Sequence, residues 1–373
     1  MSRLPRWLLM ASHVPPSGLG GGIVRYTMEL AYALRRRDDV DLHLLATAEA
    51  AGPLGDLLGN RGSVVRLPAL PDASVPAFER WALGRLLRDR FDVVQGTKHL
   101  VPVGVRARTA LTVHDMLLLE RAQDFGLAKR TLLARPYSAS IRQADTLLCV
   151  SAATRDRVRH WEPGSVDRAA VVPLATSPTL LHAEPRPVAE LAGRPFALVV
   201  GDSQPRKNLP VVTAAFQRVI RDRPDAVLLH VGPPAWGRES YGAAHAELTA
   251  SGNLVQLVGV DDGTLRWCYE QAAVVLAPSL AEGFGLPAAE ALDLGAPLVT
   301  SVDPALLEVS GDSAEHLPFD DVAGWAAAVL RHLAGDPGPT PAARATRSWD
   351  DVAAETVHAV LGPERSRDTG ARR

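Results

Sequence analysis

Pro278-Ser-Leu-Ala-Glu-Gly-Phe-Gly-Leu-Pro-Ala-Ala-Glu-Ala-Leu292 follows directly on the apolar run Val274–Ala277. Its second half is rich in helix-forming Ala, Leu and Glu, and Pro287 stands where the first turn of a helix accepts proline. Strand, tight double-glycine loop at Gly283 and Gly285, then helix: this order is the repeating unit of a parallel sheet sandwiched between helices. Glu282 lies in the loop and Glu290 about one turn into the helix, a spacing that points both carboxylates at one cleft. Carboxylates accept hydrogen bonds from sugar and ribose hydroxyls, and loop amides ahead of a helix hold phosphate. A glutamate among apolar residues can equally be a paired core charge.

The same alternation extends outward in both directions. In the first half, short apolar runs predict strands at Trp7–Ala11, Val40–Ala46, Ser63–Leu67, Val93–Gln95, Ala110–Val113, Thr146–Val150 and Ala170–Pro173. In the second half they predict strands at Phe196–Val200, Val227–Val231, Leu254–Val258, Val274–Ala277 and Leu298–Thr300. Runs apolar on both faces suit strands covered by helices on each side. Residues 176–195 contain Pro178, Pro185, Pro187 and Pro195 without a clear period, and read as a linker between two α/β domains, 1–175 and 196–345. Two doubly wound units joined there are expected to face each other across a cleft. A last helix is expected within 346–362, with Val352, Thr356, Val357 and Val360 on one face that could pack back on the first domain. The polar stretch 363–373 reads as a disordered tail.

Other segments carry candidate chemistry. Phe196–Val200 runs into Gly201-Asp-Ser-Gln-Pro-Arg-Lys-Asn-Leu209, where Arg206 and Lys207 precede a helix and Asn208 is a plausible N-cap. Two cations beside helix-end amides suit a dianion such as pyrophosphate, with Arg as a fork and Lys as a point charge. A solvated Arg–Lys pair would look the same. However, Lys207 is one of only three lysines (with Lys98 and Lys129) among 40 basic residues, which singles it out. Gly18-Leu-Gly-Gly-Gly22 opens another helix; a dinucleotide fingerprint starting at Gly18 fails because Ile23 stands where the third glycine belongs. Asp39-Val-Asp41 resembles a metal-binding triplet but reads better as solvated acids. His114 and Asp115 follow the strand Ala110–Val113, a context equally open to a hydrogen-bonded core histidine.

Composition narrows the class. With 47% hydrophobic and 22% charged residues over 373 positions, wholesale disorder and a fibrous chain are excluded. No apolar run reaches the roughly 18 residues of a membrane span, and the N-terminal apolar stretch is too short for a secretory signal, so the expected location is the cytoplasm. Cys149 and Cys268 offer neither a disulfide framework nor a zinc site. Residues 1–180 carry 24 Lys plus Arg against 17 Asp plus Glu, while the remainder is acidic. That asymmetry suggests an anionic partner for the first half, but the scattered charge and few aromatics argue against nucleic acid.

The set Glu282 and Glu290, Gly201…Pro205-Arg-Lys-Asn208, Val231-Gly-Pro-Pro234 and Val258-Gly259 resembles the retaining glycosyltransferases of family four. In the first half the likeness extends to Gly20–Gly22 with Arg25-Tyr26, and to Val113-His-Asp115, Val150-Ser151 and Val172-Pro173. The resemblance implies the GT-B architecture of two Rossmann-like domains. It further implies a metal-independent transfer of a hexose from a nucleoside-diphosphate sugar to a hydroxyl acceptor, with no cofactor. Mannose, and GDP-mannose over UDP-sugars, is the favoured donor, because the Gly-Gly-x-x-Arg-Tyr and His-Asp pattern resembles mannosyl- and rhamnosyltransferases of surface-polysaccharide assembly.

By the same resemblance, Arg206 and Lys207 bind the diphosphate and Glu282 holds donor-sugar hydroxyls beside the amides of Gly283, Phe284, Gly285 and Leu286. Glu290 accepts from the ribose, Val258 lines the base pocket, Gly20, Gly21 and Gly22 approach the phosphates, and His114 stands at the reacting sugar. The acceptor is expected to be lipid-linked or anionic, with Arg35-Arg-Arg37, or Arg85 to Arg90 around Trp81, touching the inner face of a membrane; solvated helix faces explain these charges as well. The alternatives are a catalytically inactive sugar-nucleotide-binding partner subunit, and an epimerase or phosphorylase on the same fold.

Overall fold

The computed structural model describes residues 3–18, 20–87, 89–191, 193–233, 241–336, 338 and 347–362. Leu19, Arg88, Pro234, the tail 363–373 and the Lys129 side chain, all part of the sequence reading, lie outside the described residues.

Two parallel sheets are present. The first joins β1 (Arg6–Met10), β2 (Asp41–Ala46), β3 (Ser63–Arg66), β4 (Val93–Gly96), β5 (Arg108–Val113), β6 (Thr146–Cys149) and β7 (Ala169–Val171), in the order β3-β2-β1-β4-β5-β6-β7. The second joins β8 (Phe196–Val200), β9 (Val227–Val231), β10 (Leu254–Leu257), β11 (Val274–Ala277), β12 (Leu298–Ser301) and β13 (Glu315–Leu317), in the order β10-β9-β8-β11-β12-β13. Both are doubly wound, Rossmann-like sheets. The strand order reverses between β1 and β4 in one, and between β8 and β11 in the other, which is where open α/β sheets place ligands.

The second sheet shows why its strands are apolar throughout. Leu198 and Val275, paired across β8 and β11, belong to one core cluster, while their neighbours Ala197, Val199, Val274 and Leu276 belong to another. Each fully buried Val or Leu contributes roughly 2 kcal/mol, far more than the few tenths by which local propensities differ. Strand β13 has no counterpart in the sequence reading. Its three residues, Glu-His-Leu, are all half-buried and polar at two of three positions, so they give no apolar signal; pairing with β12 makes them a strand.

The chain divides into two compact units: residues 1–116, 132–174 and 349–373 form one, and Leu117–Thr131 with Ala175–Ser348 the other. The stretch 176–195 is no free linker. It contains the helix Pro178–His182, and Leu180, Val188 and Leu191 are buried in the core of the second unit. Its prolines mask that role in the sequence, because they break the period without preventing burial. The final helix, Trp349–Leu361, buries Trp349, Val352, Ala353, Thr356, Val357 and Val360 within the first unit. Trp349 stands edge-on to Tyr26, with ring centroids 5.8 Å apart, and Arg36 pairs with Asp350 at 2.5 Å.

Candidate active site

In the second unit, β8 is followed by Gly201, whose φ of +139° disfavours any side chain; a Cβ there would lie 3.1 Å from Lys207 Cε. The chain then makes the short turn Pro205–Lys207 and enters the helix Leu209–Asp222. Asn208 holds the left-handed conformation at φ 54° and does not cap that helix through its side chain, contrary to the sequence reading. Its Nδ2 instead donates to the carbonyls of Pro278 (3.2 Å) and Phe319 (2.8 Å). Together with the bond from Leu280 N–H to the Arg206 carbonyl at 2.7 Å, this ties the cationic turn to the loop after β11.

That tie brings Glu282 to both cations. Lys207 Nζ donates to Glu282 Oε1 at 2.6 Å and Arg206 donates to Oε2 at 3.1 Å. Ser279 Oγ adds a third bond, to Oε1, at 2.6 Å. The three charged side chains are only 11–19% exposed. Burial alone would raise the Glu282 pKa, but the charges of Lys207 and Arg206, with the hydrogen bonds from Lys207 and Ser279, outweigh it and bring the group down to about 2. The carboxylate is therefore ionised at neutral pH. Asp202 and Gln204 lie against Arg206 as well, at 3.9 and 3.2 Å.

The loop after β11 is compact. Gly285 adopts φ 93°, and a Cβ on it would meet Leu306 Cδ2 at 2.6 Å, so glycine is required there. Gly283 and Phe284 are buried and Leu286 is half-buried at the start of the helix Leu286–Asp293. A small hollow lined by Asp202, Lys207, Ser279, Glu282 and Gly285 sits between β8 and β11. Glu290 is not among the residues that line it. Glu290 is 3% exposed and accepts a hydrogen bond from Tyr269 Oη at 2.7 Å. The sequence shows the interval between two acids but not the tyrosine of another helix that claims one of them. Val258, expected in a base pocket, follows β10 and is 57% exposed.

In the first unit, Gly20 and Gly21 precede the helix Gly22–Arg36. Their φ values are not left-handed; among the described residues of that loop only Gly18 has positive φ, 69°. Among the described residues, and apart from Gly21 itself and its chain neighbours, no atom lies within 4 Å of where a Gly21 Cβ would be. His114 is half-buried after β5, with its Nε2 2.9 Å from the Thr97 carbonyl. A carbonyl only accepts, so Nε2 carries the hydrogen. Burial lowers the His114 pKa against the pull of Thr97 and Asp115, which keeps the ring neutral. Tyr26 packs edge-on to it at 4.7 Å between centroids. Asp39 pairs with Arg37 at 2.5 Å and Asp41 with His43 at 3.1 Å.

Sequence reasoning missed Ser279 and Tyr269. Ser279 had a signal, a hydroxyl three residues before the loop glutamate; Tyr269 had none, being on a separate helix.

The description "Glycosyltransferase Family 4" matches residues 20–180 and "Glycosyl transferases group 1" residues 194–335. The O-antigen chain mannosyltransferase B of Escherichia coli is 27% identical, across 91% of this chain and 95% of that one. The MMP alpha-(1->4)-mannosyltransferase of Mycolicibacterium hassiacum is 30% identical, across 72% of this chain and 70% of that one. In structure, Anabaena HepE in complex with UDP and glucose superposes with a TM-score of 0.69 at 15% identity, across 96% of this chain and all of that one, which supports the GT-B fold. With both halves matched in order and paired sheets of this kind, the chain belongs to the family-four glycosyltransferases.

Proposed function

We propose that this glycosyltransferase moves mannose from GDP-mannose to a hydroxyl acceptor in glycan assembly, with retention of anomeric configuration and without a metal ion. The observation that carries the reading is the Arg206–Lys207–Glu282 assembly at the carboxyl ends of β8 and β11. Cleavage of the donor's glycosidic bond leaves negative charge on the diphosphate and positive character on the sugar ring. Cations already held in place stabilise that charge as it develops, which lowers the barrier rather than only tightening binding. Lys207 supplies a compact charge and Arg206 a two-pronged one. Glu282, ionised and fixed by three donors, both orients the cations and offers oxygens to sugar hydroxyls. His114, neutral with Nε2–H on Thr97, leaves Nδ1 as an acceptor for a sugar hydroxyl. The ribose contact implied for Glu290 would require its bond with Tyr269 to be shared.

Mannose is supported by what the Escherichia coli and Mycolicibacterium hassiacum relatives are named for. UDP-glucose is the sharpest competitor, since HepE holds UDP and glucose. Nucleoside diphosphate release measured across GDP-mannose, UDP-glucose and UDP-N-acetylglucosamine, with and without EDTA, tests the proposal. GDP-mannose should be consumed fastest, equally with chelator, and product NMR should show the donor's anomeric configuration. Exclusive use of a UDP-sugar, loss of activity in EDTA, or an inverted product would overturn the corresponding part. Among the described residues no helix is long and apolar enough to cross a membrane. Peripheral contact is proposed through Trp81 and Leu86, 60% and 47% exposed beside Arg85 and Arg90. Co-sedimentation with anionic vesicles should fall in Trp81→Ala; unchanged sedimentation would remove that surface from the proposal.

A further inference from the structure

Strand β9 reads Val227-Leu-Leu-His-Val231, and His230 is its one polar residue. His230 is 3% exposed and lies on the same face of the strand as Leu228, which packs in an apolar core cluster. An apolar side chain at this position would avoid the cost of stripping water from an imidazole, so packing alone does not account for the histidine. Its Nε2 lies 2.8 Å from the Gly201 carbonyl. A carbonyl only accepts, so Nε2 carries the hydrogen. Burial holds the ring below its ordinary pKa, against the pull of that bond; His245 adds to the lowering and Asp202 opposes it. The ring therefore donates as a neutral group at pH 7.5.

Gly201 joins β8 to the turn that carries Arg206 and Lys207. Its N–H donates to the Val231 carbonyl at 2.9 Å. Its carbonyl oxygen sits so close to Gly232 that a Cβ on Gly232 would lie 1.8 Å from it, which requires glycine there. Lys207 lies against Gly201 itself. The place of a Gly201 Cβ is 3.1 Å from Lys207 Cε and 3.3 Å from Nζ, so the end of the lysine passes over this residue to reach Glu282. Glycine has the freest backbone of any residue, and the peptide that follows Gly201 keeps one orientation only while its carbonyl is held. His230 holds it.

We propose that His230 is a positioning residue for the transfer reaction. By fixing the Gly201 carbonyl it fixes the backbone against which Lys207 rests, and with it the ammonium that meets the leaving diphosphate. The inference rests on the transferase reading and adds to it a residue that does not touch the donor. Stabilisation of developing charge depends on cations that are in place before the bond breaks. A misplacement of about 1 Å can cost about 100-fold in rate, whereas donor binding, shared among several contacts, suffers less.

The test uses a count. Lys98, Lys129 and Lys207 are the chain's only lysines, so protein labelled with carbon-13 at lysine Cε gives three resonances, and Lys207→Met identifies one of them. His230→Phe keeps a ring and loses the donor, His230→Leu matches the rest of the strand, and His230→Gln restores an N–H. A retained cooperative melt selects the variants that are read. In His230→Phe and His230→Leu the Lys207 resonance should move while those of Lys98 and Lys129 stay, and in His230→Gln it should return toward its original place. With GDP-mannose, kcat should fall by about tenfold or more in the first two variants, with KM within about threefold, and His230→Gln should recover to within about threefold of the original. In a Lys207→Met background, His230→Phe should lower turnover by less than about threefold, because no ammonium is left to displace. A Lys207 resonance that does not move, equal movement of all three, or the same fold-loss with and without Lys207 would overturn the inference. The resonances are read without donor. A protein that consumes GDP-mannose but leaves the Lys207 signal unmoved loses only this inference; one that shows the Lys207 shift but consumes no donor loses only the transferase reading.

Discussion

Lys207 and Glu282, 75 residues apart in the chain, form a 2.6 Å ion pair at the carboxyl ends of two adjacent parallel strands. Arg206 shares the same carboxylate, so removing one cation leaves Glu282 partly neutralised. Lys207→Met should therefore cost about 2 kcal/mol of stability, less than the loss of an only partner, while lowering donor turnover by about 100-fold or more. In a double-mutant cycle with Glu282→Gln, thermal denaturation should show a coupling of about 1–3 kcal/mol. A coupling near zero would mean that the pair is not formed in solution.

The depressed pKa of Glu282 sets a pH window. In the unfolded chain the group takes up a proton near its ordinary value of 4.5; in the folded protein it does so only near 2. The folded state therefore binds fewer protons between those values, and the stability this group contributes is complete above about pH 4.5 and lost as pH falls toward 2. The amount is of the order of 3 kcal/mol. Denaturant midpoints from pH 6 to pH 2.5 should fall less steeply for Glu282→Gln than for the original chain. Parallel curves would refute the assignment.

Asn208 combines a left-handed backbone with two side-chain bonds, and two substitutions separate these contributions. Asn208→Gly keeps the backbone and loses the bonds, for an expected cost of about 2 kcal/mol. Asn208→Ala loses both and should be about 1 kcal/mol worse. Chemical denaturation gives each number, and equal values would show that the turn relaxes.

Trp349 links the last helix to the first unit's interior. It is 2% exposed and packs on Tyr26. Tyr26 Oη lies 2.9 Å from Thr112 Oγ1, and the Tyr26 ring meets His114. Trp349→Ala should destabilise the chain by about 3–5 kcal/mol through the cavity it leaves. Trp349→Phe should recover most of this, and the His114 ring resonances, followed by NMR, should shift in both variants. Unshifted resonances would show that the helix does not reach the histidine.

The architecture was largely legible. Phe196–Val200, Val227–Val231 and Val274–Ala277 match their strands to the residue, because strands buried on both faces must be apolar throughout. The last strand pair, β12 with β13, also shows the limit of that signal, since β13 carries none of it. The cationic turn and the Glu282 loop were legible too, as polar residues confined between a strand's end and a helix's start. The partner of Glu290 was not legible, because only packing reveals that Tyr269 donates to it.

By itself, the order of residues determined the alternation of strands and helices, the two parallel sheets and the positions of the charged loops, because each of these depends on periodicity and turn chemistry within a few residues. Tertiary structure alone decided which charges meet. Lys207 finds Glu282, Glu290 finds Tyr269 and Glu79 is buried beside Ser12 because parallel strands bring together segments far apart in sequence. The energy of a charge depends on its nearest partners and on its exclusion from water, neither of which is a local property of the chain.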